Sequence, residues 1–160
     1  MNTQDQPSLN KVTIDITTED GAVSTPAINH DNCTGLAVTM VQFGFFVVTH
    51  AETGLKLSDK YERAGSALLV LSQFALIAKE NGFSWDGGTQ SEVTGIMKEI
   101  YQKPVPFDGA TITSKNGTRK QTVIEWIHNL RAINIRGYVD EFPWEEHCPW
   151  NDALDNLESC

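Results

Sequence analysis

Residues 64–78 read AGSALLVLSQFALIA, a stretch without a single charged side chain. Apolar residues occur on nearly every side of the helix that this stretch predicts: Leu68, Leu69, Leu71, Phe74, Leu76 and Ile77. A helix that is apolar all round is buried on several sides, so a central helix is expected over residues 60–80, with Ser58 or Asp59 as its N-cap. Asn81-Gly82 is expected to end it, since either residue tolerates the left-handed conformation. The stretch is shorter than the roughly 20 apolar residues that a membrane-spanning helix needs.

The residues before the central helix favour β-structure. Val12 to Thr17 alternates apolar and polar side chains, which is typical of a half-buried strand, and residues 22–24 are expected to pair back as a short arm. Residues 26–35 are expected to form a loop. Strands are predicted near residues 11–17, 36–49, 54–58 and 110–113, with Gly44 at a bend. Residues 45–49 are expected to pair with residues 55–58 as a hairpin.

Two further helices are predicted after the central one. Thr89 is followed three residues later by Glu92, a capping-box spacing that predicts a helix near residues 89–103. Thr118 is expected to cap a third helix near residues 118–133. The sequence therefore predicts an α+β fold in which an antiparallel sheet or hairpins pack against about three helices.

The length of 160 residues is that of one domain. Residues 1–10 are polar and are expected to be a flexible lead-in, and residues 11–139 to form the α+β domain. Residues 140–160 are set apart as an acidic, aromatic C-terminal segment. The first residues lack the basic and apolar regions of a secretory signal, and three scattered cysteines are typical of a reducing compartment, so a cytoplasmic location is expected.

The net charge of −9 is unevenly distributed along the chain. Residues 1–59 carry −5, residues 60–139 carry +3, and residues 140–160 carry −7 with no Lys or Arg. Negative charge repels phosphates, so direct binding of nucleic acid is disfavoured. An acidic surface attracts basic partners or keeps a protein soluble.

The C-terminal segment combines carboxylates with tryptophans. Aromatic residues anchor interfaces, and carboxylates around them select a basic protein surface. The predicted partner-binding residues are Asp140, Glu141, Trp144, Glu145, Glu146, Trp150, Asp152 and Asp155. In the alternative, these aromatic residues pack onto the sheet and the acids lie in water.

The favoured function is that of a non-enzymatic binding protein that blocks a basic, nucleic-acid-handling partner. Phage and mobile-element inhibitors of host defence, of the anti-CRISPR or anti-restriction type and including nucleic-acid mimics, have this kind of size and charge. An immunity-type antidote to a basic toxin fits the same charge. Two other hypotheses are a small enzyme with a site built from His30, Asp31, His50 and Glu52, and an assembly subunit that pairs through residues 36–48.

Sequence motifs for catalysis or cofactor binding are lacking. The chain contains neither a GxSxG nucleophile elbow nor a phosphate-binding glycine loop, and no cofactor is expected. The weak metal candidates are His30, Cys33, His147 and Cys148, which are ligand types that zinc prefers but without the usual spacing. The third helix does not fit the recognition helix of a helix-turn-helix motif, because the connection to the preceding helix is too long.

Overall fold

The computed structural model describes residues 9–19, 21–42, 45–105, 111–135 and 149–160. These residues form a four-stranded antiparallel sheet, a separate two-stranded sheet and four helices, which confirms the predicted α+β class. The strands are β1 (Leu9–Thr18), β2 (Gly21–His30), β3 (Cys33–Gln42), β4 (Phe45–His50), β5 (Thr111–Ser114) and β6 (Gly117–Lys120). The helices are α1 (Ala64–Asn81), α2 (Gln90–Gln102), α3 (Val123–Ile135) and α4 (Pro149–Glu158). None of the helices in the described ranges has both the length and the apolar character needed to cross a membrane.

The larger sheet has the order β1-β2-β3-β4. The predicted loop at residues 26–35 is wrong, because β2 pairs with β1 along its whole length, from Leu9 opposite His30 to Thr18 opposite Gly21. Pairing of β2 with β3 extends only as far as Ala27, so among the described residues Pro26 has no strand partner on that side. A sheet tolerates proline at such an edge position.

The single strand predicted over residues 36–49 is in fact two antiparallel strands, β3 and β4, and Gly44 between them lies outside the described residues. The predicted pairing of this region with residues 54–58 is confirmed. The His50 N–H donates to the Leu55 carbonyl at 2.8 Å, and the Leu57 N–H donates to the Val48 carbonyl at 2.8 Å. Residues 55–61 therefore run along the edge of β4 that does not pair with β3.

The central helix begins later than predicted. Tyr61 and Phe46 exchange two backbone hydrogen bonds of 2.7 and 2.8 Å, which keeps residue 61 extended along β4. Helix α1 therefore starts at Ala64, with Arg63 as its N-cap and without a side-chain cap from Ser58 or Asp59. Its predicted end is confirmed, because Gly82 takes the left-handed conformation (φ 71°) that glycine adopts without strain.

The predicted burial of α1 on several sides is confirmed. The helix packs against β3 and β4 on one side and against α4 on another. Leu68, Val70, Leu71 and Phe74 are all buried. The apolar surface of α1 thus joins the sheet to α4 in a single core, since burial of such surface is the dominant favourable contribution to folding.

Helix α2 has the capping box that the sequence predicts, with the Thr89 hydroxyl accepting from Glu92 N–H and the Glu92 carboxylate accepting from Thr89 N–H. The start of the third helix differs from the prediction. Thr118 lies in β6, which pairs with β5 to form a hairpin, so the helix predicted over residues 118–133 begins only at Val123. Its first turn is closed by Thr122, whose N–H donates to the Glu125 carboxylate at 2.9 Å.

Arg119 strengthens this cap from the neighbouring hairpin. Its two terminal nitrogens each donate to a Glu125 carboxylate oxygen at 2.8 Å. Hydrogen bonds from Arg119 and from the Thr122 N–H lower the pKa of Glu125 to about 2. Because the pKa is lower in the folded state, this contribution to stability is present at neutral pH and is lost as the pH falls from about 4.5 to about 2.

We predict that Arg119→Ala raises the pKa of Glu125 partway to its ordinary value, because the Thr122 N–H still donates to the carboxylate. An NMR titration of the Glu125 carboxyl carbon measures this change. Lys115→Ala removes an exposed cation from the turn of the same hairpin and is the control, since Lys115 makes no described contact with Glu125. An unchanged Glu125 pKa in Arg119→Ala would contradict the assignment.

The loop after α1 lies directly on β3 at Gly35. A Cβ atom added to Gly35 would lie 2.7 Å from the Asp86 backbone nitrogen and closer still to the Trp85 carbonyl group. The Trp85 indole N–H also donates to the Phe74 carbonyl at 2.9 Å, and its ring packs at 5.8 Å from the Phe74 ring. Only glycine therefore allows the two backbones to approach this closely.

We predict that Gly35→Ala lowers the free energy of unfolding by about 1–3 kcal/mol, the usual cost of overpacking, because the backbone of residues 85–86 must move. Gly95→Ala is the matched control. Gly95 is an exposed residue of α2 with open space around its Cα, so alanine there should stabilise by up to about 1 kcal/mol. Urea unfolding curves measure the change in the free energy of unfolding, which should have opposite signs in the two variants. Equal changes would contradict the close contact of Gly35 with Trp85 and Asp86.

Candidate functional site

Of the eight predicted partner-binding residues, five lie outside the described residues and three belong to α4. Asp140, Glu141, Trp144, Glu145 and Glu146 lie outside the described residues. Trp150 and Asp152 belong to the first half of α4. Asp155 is exposed on the same helix, so the position of α4 decides where this part of the acidic segment lies.

Helix α4 is held on the body of the protein by buried apolar residues and by hydrogen bonds. Ala153 and Leu157 are fully buried in the core. Three side chains from other elements reach α4 or its end: Asn32 donates to the Leu157 carbonyl at 2.9 Å, Lys79 donates to the Ser159 carbonyl at 2.6 Å, and Ser72 accepts from the Asn156 amide at 3.1 Å. This packing leaves Asp155 and Glu158, three residues apart, exposed to solvent.

A cleft of about 270 Å³ lies where the end of α4 meets the β2–β3 turn and the loop after α1. Asp31 and Asp86, both exposed, contribute carboxylates to its lining, and Cys33 and Cys160 contribute thiols. Thr34 donates to the Asp86 carboxylate at 3.0 Å, which fixes that carboxylate against β3. Asn10 of β1 holds Asp31 in the same way, at 2.7 Å.

Nearby acids influence the pKa values of both His30 and Cys33. Burial lowers the pKa of His30, and the negative charges of Asp31 and Glu158 oppose that shift. Burial raises the pKa of Cys33 to about 12, and the charges of Cys160 and Asp86 add to the shift. Asp31 and Asp86 line the same cleft, and the hydrogen bond from Asn32 to the Leu157 carbonyl joins the neighbour of Asp31 to the neighbour of Glu158. The three carboxylates therefore lie at one corner of the molecule. We call these three residues, together with Asp155, the acidic corner.

Sequence reasoning did not assign Asp86 to a site and considered Asp31 only for an enzyme. The local signal at both positions is that of a turn, in Asp31-Asn32 and in Trp85-Asp86-Gly87-Gly88. The contact of Gly35 with Trp85 and the hydrogen bond from Thr34 to Asp86 bring these two distant turns together. The excess of acid near the C-terminus, in contrast, was visible in the charge count.

The structure gives little support to the four predicted metal ligands. His30 uses its Nδ1 to accept from the Asn32 N–H at 3.0 Å, and the Cys33 thiol is buried and holds its proton because its pKa is raised. Metals bind the thiolate form, so this environment opposes metal binding by Cys33. His147 and Cys148 lie outside the described residues. Among the residues that the structure describes, no three His, Cys, Asp or Glu side chains form a metal-binding group.

The enzyme hypothesis placed His50 in a site with Glu52, but His50 is fully buried and makes structural contacts. Its Nε2 lies 2.8 Å from the Trp85 carbonyl, which can only accept, so Nε2 carries the proton. Its Nδ1 then accepts from Thr53, at 2.9 Å from the hydroxyl and 3.3 Å from the backbone nitrogen. Both ring nitrogens of His50 therefore hold the fold together.

Comparison with known proteins adds no assignment: no protein-family model matches the chain, and neither does any curated protein or solved structure.

We predict that His50→Phe lowers the free energy of unfolding by about 1–3 kcal/mol, because the buried Trp85 carbonyl loses its hydrogen bond. His128→Phe is the control. His128 is exposed and pairs with Asp59 at the surface, where ion pairs contribute about 0–1 kcal/mol. Urea unfolding measures both variants, and equal losses would contradict a structural role for His50.

Proposed function

We propose that this chain is an acidic, non-enzymatic binding protein that occupies a basic surface on a nucleic-acid-handling protein. Its mode of action would be that of a phage or mobile-element inhibitor of host defence, working in the cytoplasm. The observation that supports this proposal best is the convergence of Asp31 and Asp86 on one corner with Glu158, which belongs to the C-terminal segment that carries −7.

The physical basis is the complementarity of charge. A surface that binds phosphates is rich in Lys and Arg, and it attracts clustered carboxylates by the same long-range force. The acids of the corner are held in place: Asp31 and Asp86 accept hydrogen bonds from β1 and β3, and Glu158 belongs to a docked helix. Carboxylates that are fixed before binding lose less conformational entropy when a partner binds.

Among the described residues that line the cleft, Lys79 is the one lysine, and its ammonium group lies against the end of α4. The Lys79 ammonium donates to the Ser159 carbonyl at 2.6 Å, close to the negative end of the α4 dipole. This contact holds the helix end that carries Glu158.

The test uses a variant that removes the acidic corner without changing its shape: Asp31→Asn, Asp86→Asn, Asp155→Asn and Glu158→Gln. The amides still accept the hydrogen bonds from Asn10 and Thr34. The matched control removes four exposed carboxylates elsewhere: Glu19→Gln, Glu52→Gln, Glu62→Gln and Glu99→Gln. A third variant neutralises Asp140, Glu141, Glu145, Glu146 and Asp152.

We predict that the wild-type chain captures a DNA- or RNA-binding protein from extracts of its native host, identified by mass spectrometry. Binding should weaken as salt is added and should compete with nucleic acid for the same partner, because both occupy the cationic surface. The acidic-corner variant should lose about tenfold or more in affinity, and the control variant should keep it. Salt-insensitive capture, or equal losses in both variants, would overturn the proposal.

The third variant separates the two acidic regions. A loss confined to it places the interface on residues 140–152 and removes the acidic corner from the proposal, while a loss in both variants supports a continuous surface. A captured toxin whose activity is blocked would favour the immunity-type alternative over an inhibitor of host defence.

A further inference from the structure

Strand β1 is the outer strand of the four-stranded sheet. All ten of its residues pair with β2, and within the described part of the chain no strand pairs with its other side. An unpaired strand edge presents a row of backbone N–H and C=O groups that can bind a further strand. Ten residues is a long edge for a strand, since most strands have about five or six.

The side chains of β1 alternate strictly between the two faces of the sheet. Lys11, Thr13 and Asp15 are exposed on one face. Val12 and Ile14 are half-buried on the other face. A partner strand would therefore meet charged side chains on one face and apolar side chains on the opposite face.

This pattern is complementary to itself when it is read antiparallel. If the two-fold axis passes at Thr13, Lys11 of each copy lies opposite Asp15 of the other, and Val12 lies opposite Ile14. We propose that β1 pairs antiparallel with β1 of a second copy of this chain in this register. The two four-stranded sheets then join into one continuous sheet of eight strands.

The charges of β1 select this register over its neighbours. An axis at Lys11 or at Asp15 would place like charges directly opposite one another, which is destabilising. An axis at Val12 would place Lys11 opposite Thr13, and an axis at Ile14 would place Asp15 opposite Thr13, so both would lose the two Lys11–Asp15 pairs. A slip that exchanged the two faces would place charged side chains against Val12 and Ile14. A lysine on an edge strand ordinarily opposes indiscriminate pairing, and here it permits pairing only where a carboxylate faces it.

Both charged groups are available for the contact. Lys11 makes no hydrogen bond or ion pair with the residues that the structure describes. One oxygen of Asp15 accepts from the Ser24 hydroxyl at 2.7 Å, which orients the carboxylate and leaves its second oxygen for the lysine of the other copy. One strand edge is a small interface, so the dimer should dissociate on dilution.

The decisive test exchanges the charges. Lys11→Asp alone places two carboxylates opposite each other at both ends of the pairing, and Asp15→Lys alone does the same with two ammonium groups. Each variant should dimerise about tenfold more weakly than the wild type, as expected for two repulsive pairs. An equal mixture of the two variants should form a heterodimer of wild-type affinity, because every charged position then faces its opposite.

Sedimentation equilibrium over a wide concentration range measures these affinities, and thermal unfolding confirms that each variant is folded. A chain that stays monomeric at every concentration overturns the proposal. A wild-type dimer that neither substitution weakens also overturns it, because the interface must then lie elsewhere. Two weakened variants that fail to associate when mixed would overturn the register.

A cross-linking measurement tests the position of the axis. Residues directly opposite each other in an antiparallel pair have Cα atoms about 4.5–5.5 Å apart, which is within the range that a disulfide spans. Thr13→Cys should therefore cross-link into covalent dimers in oxidised glutathione well above the wild-type level. Lys115→Cys, an exposed control on the β5–β6 turn, should not. Equal cross-linking of the two variants contradicts an axis at Thr13.

Discussion

The backbone of Gly35 lies directly against the backbone of Trp85 and Asp86, and the relation between sheet and helices depends on this contact. The loop that contains Trp85 follows α1, so fixing it on β3 fixes the end of α1 on the sheet. His50 binds the Trp85 carbonyl from β4, and the Trp85 indole binds the Phe74 carbonyl of α1. One residue thus joins two strands to the central helix, and the acidic corner is assembled around it.

The sequence predicted those elements whose signals are local. The capping box of Thr89 and Glu92 and the left-handed Gly82 lie within a few residues of the helix ends that they determine, and both are confirmed. The expected pairing of residues 22–24 with β1 is confirmed. The rest of β2 was missed because Pro26 has a low intrinsic preference for strands, whereas ten paired positions on β1 hold β2 in the sheet. The start of α1 was misplaced because the bonds of Tyr61 to Phe46 are tertiary contacts.

The candidate site, like the fold, has a part that the sequence predicted and a part that it did not. A count of charges was enough to single out the acidic C-terminal segment, because net charge is a property of composition. Asp31 and Asp86 could not be joined to it from the sequence, since no pattern links two turns that are far apart along the chain. His50 is buried against Trp85, a residue far from it along the chain, and the sequence does not reveal that contact. A site that pairs His50 with Glu52 was therefore a reasonable hypothesis from the sequence alone.

The dependence of α1 on α4 has a consequence for biosynthesis. Lys79 and Ser159 are in contact although 80 residues separate them, so a ribosome completes the central helix long before it completes the helix that covers one of its sides. During that interval the nascent chain exposes an apolar helix surface, which is prone to aggregation. Co-translational folding of this protein should therefore pass through a stage that benefits from chaperones, and that stage ends only when α4 has left the ribosomal tunnel.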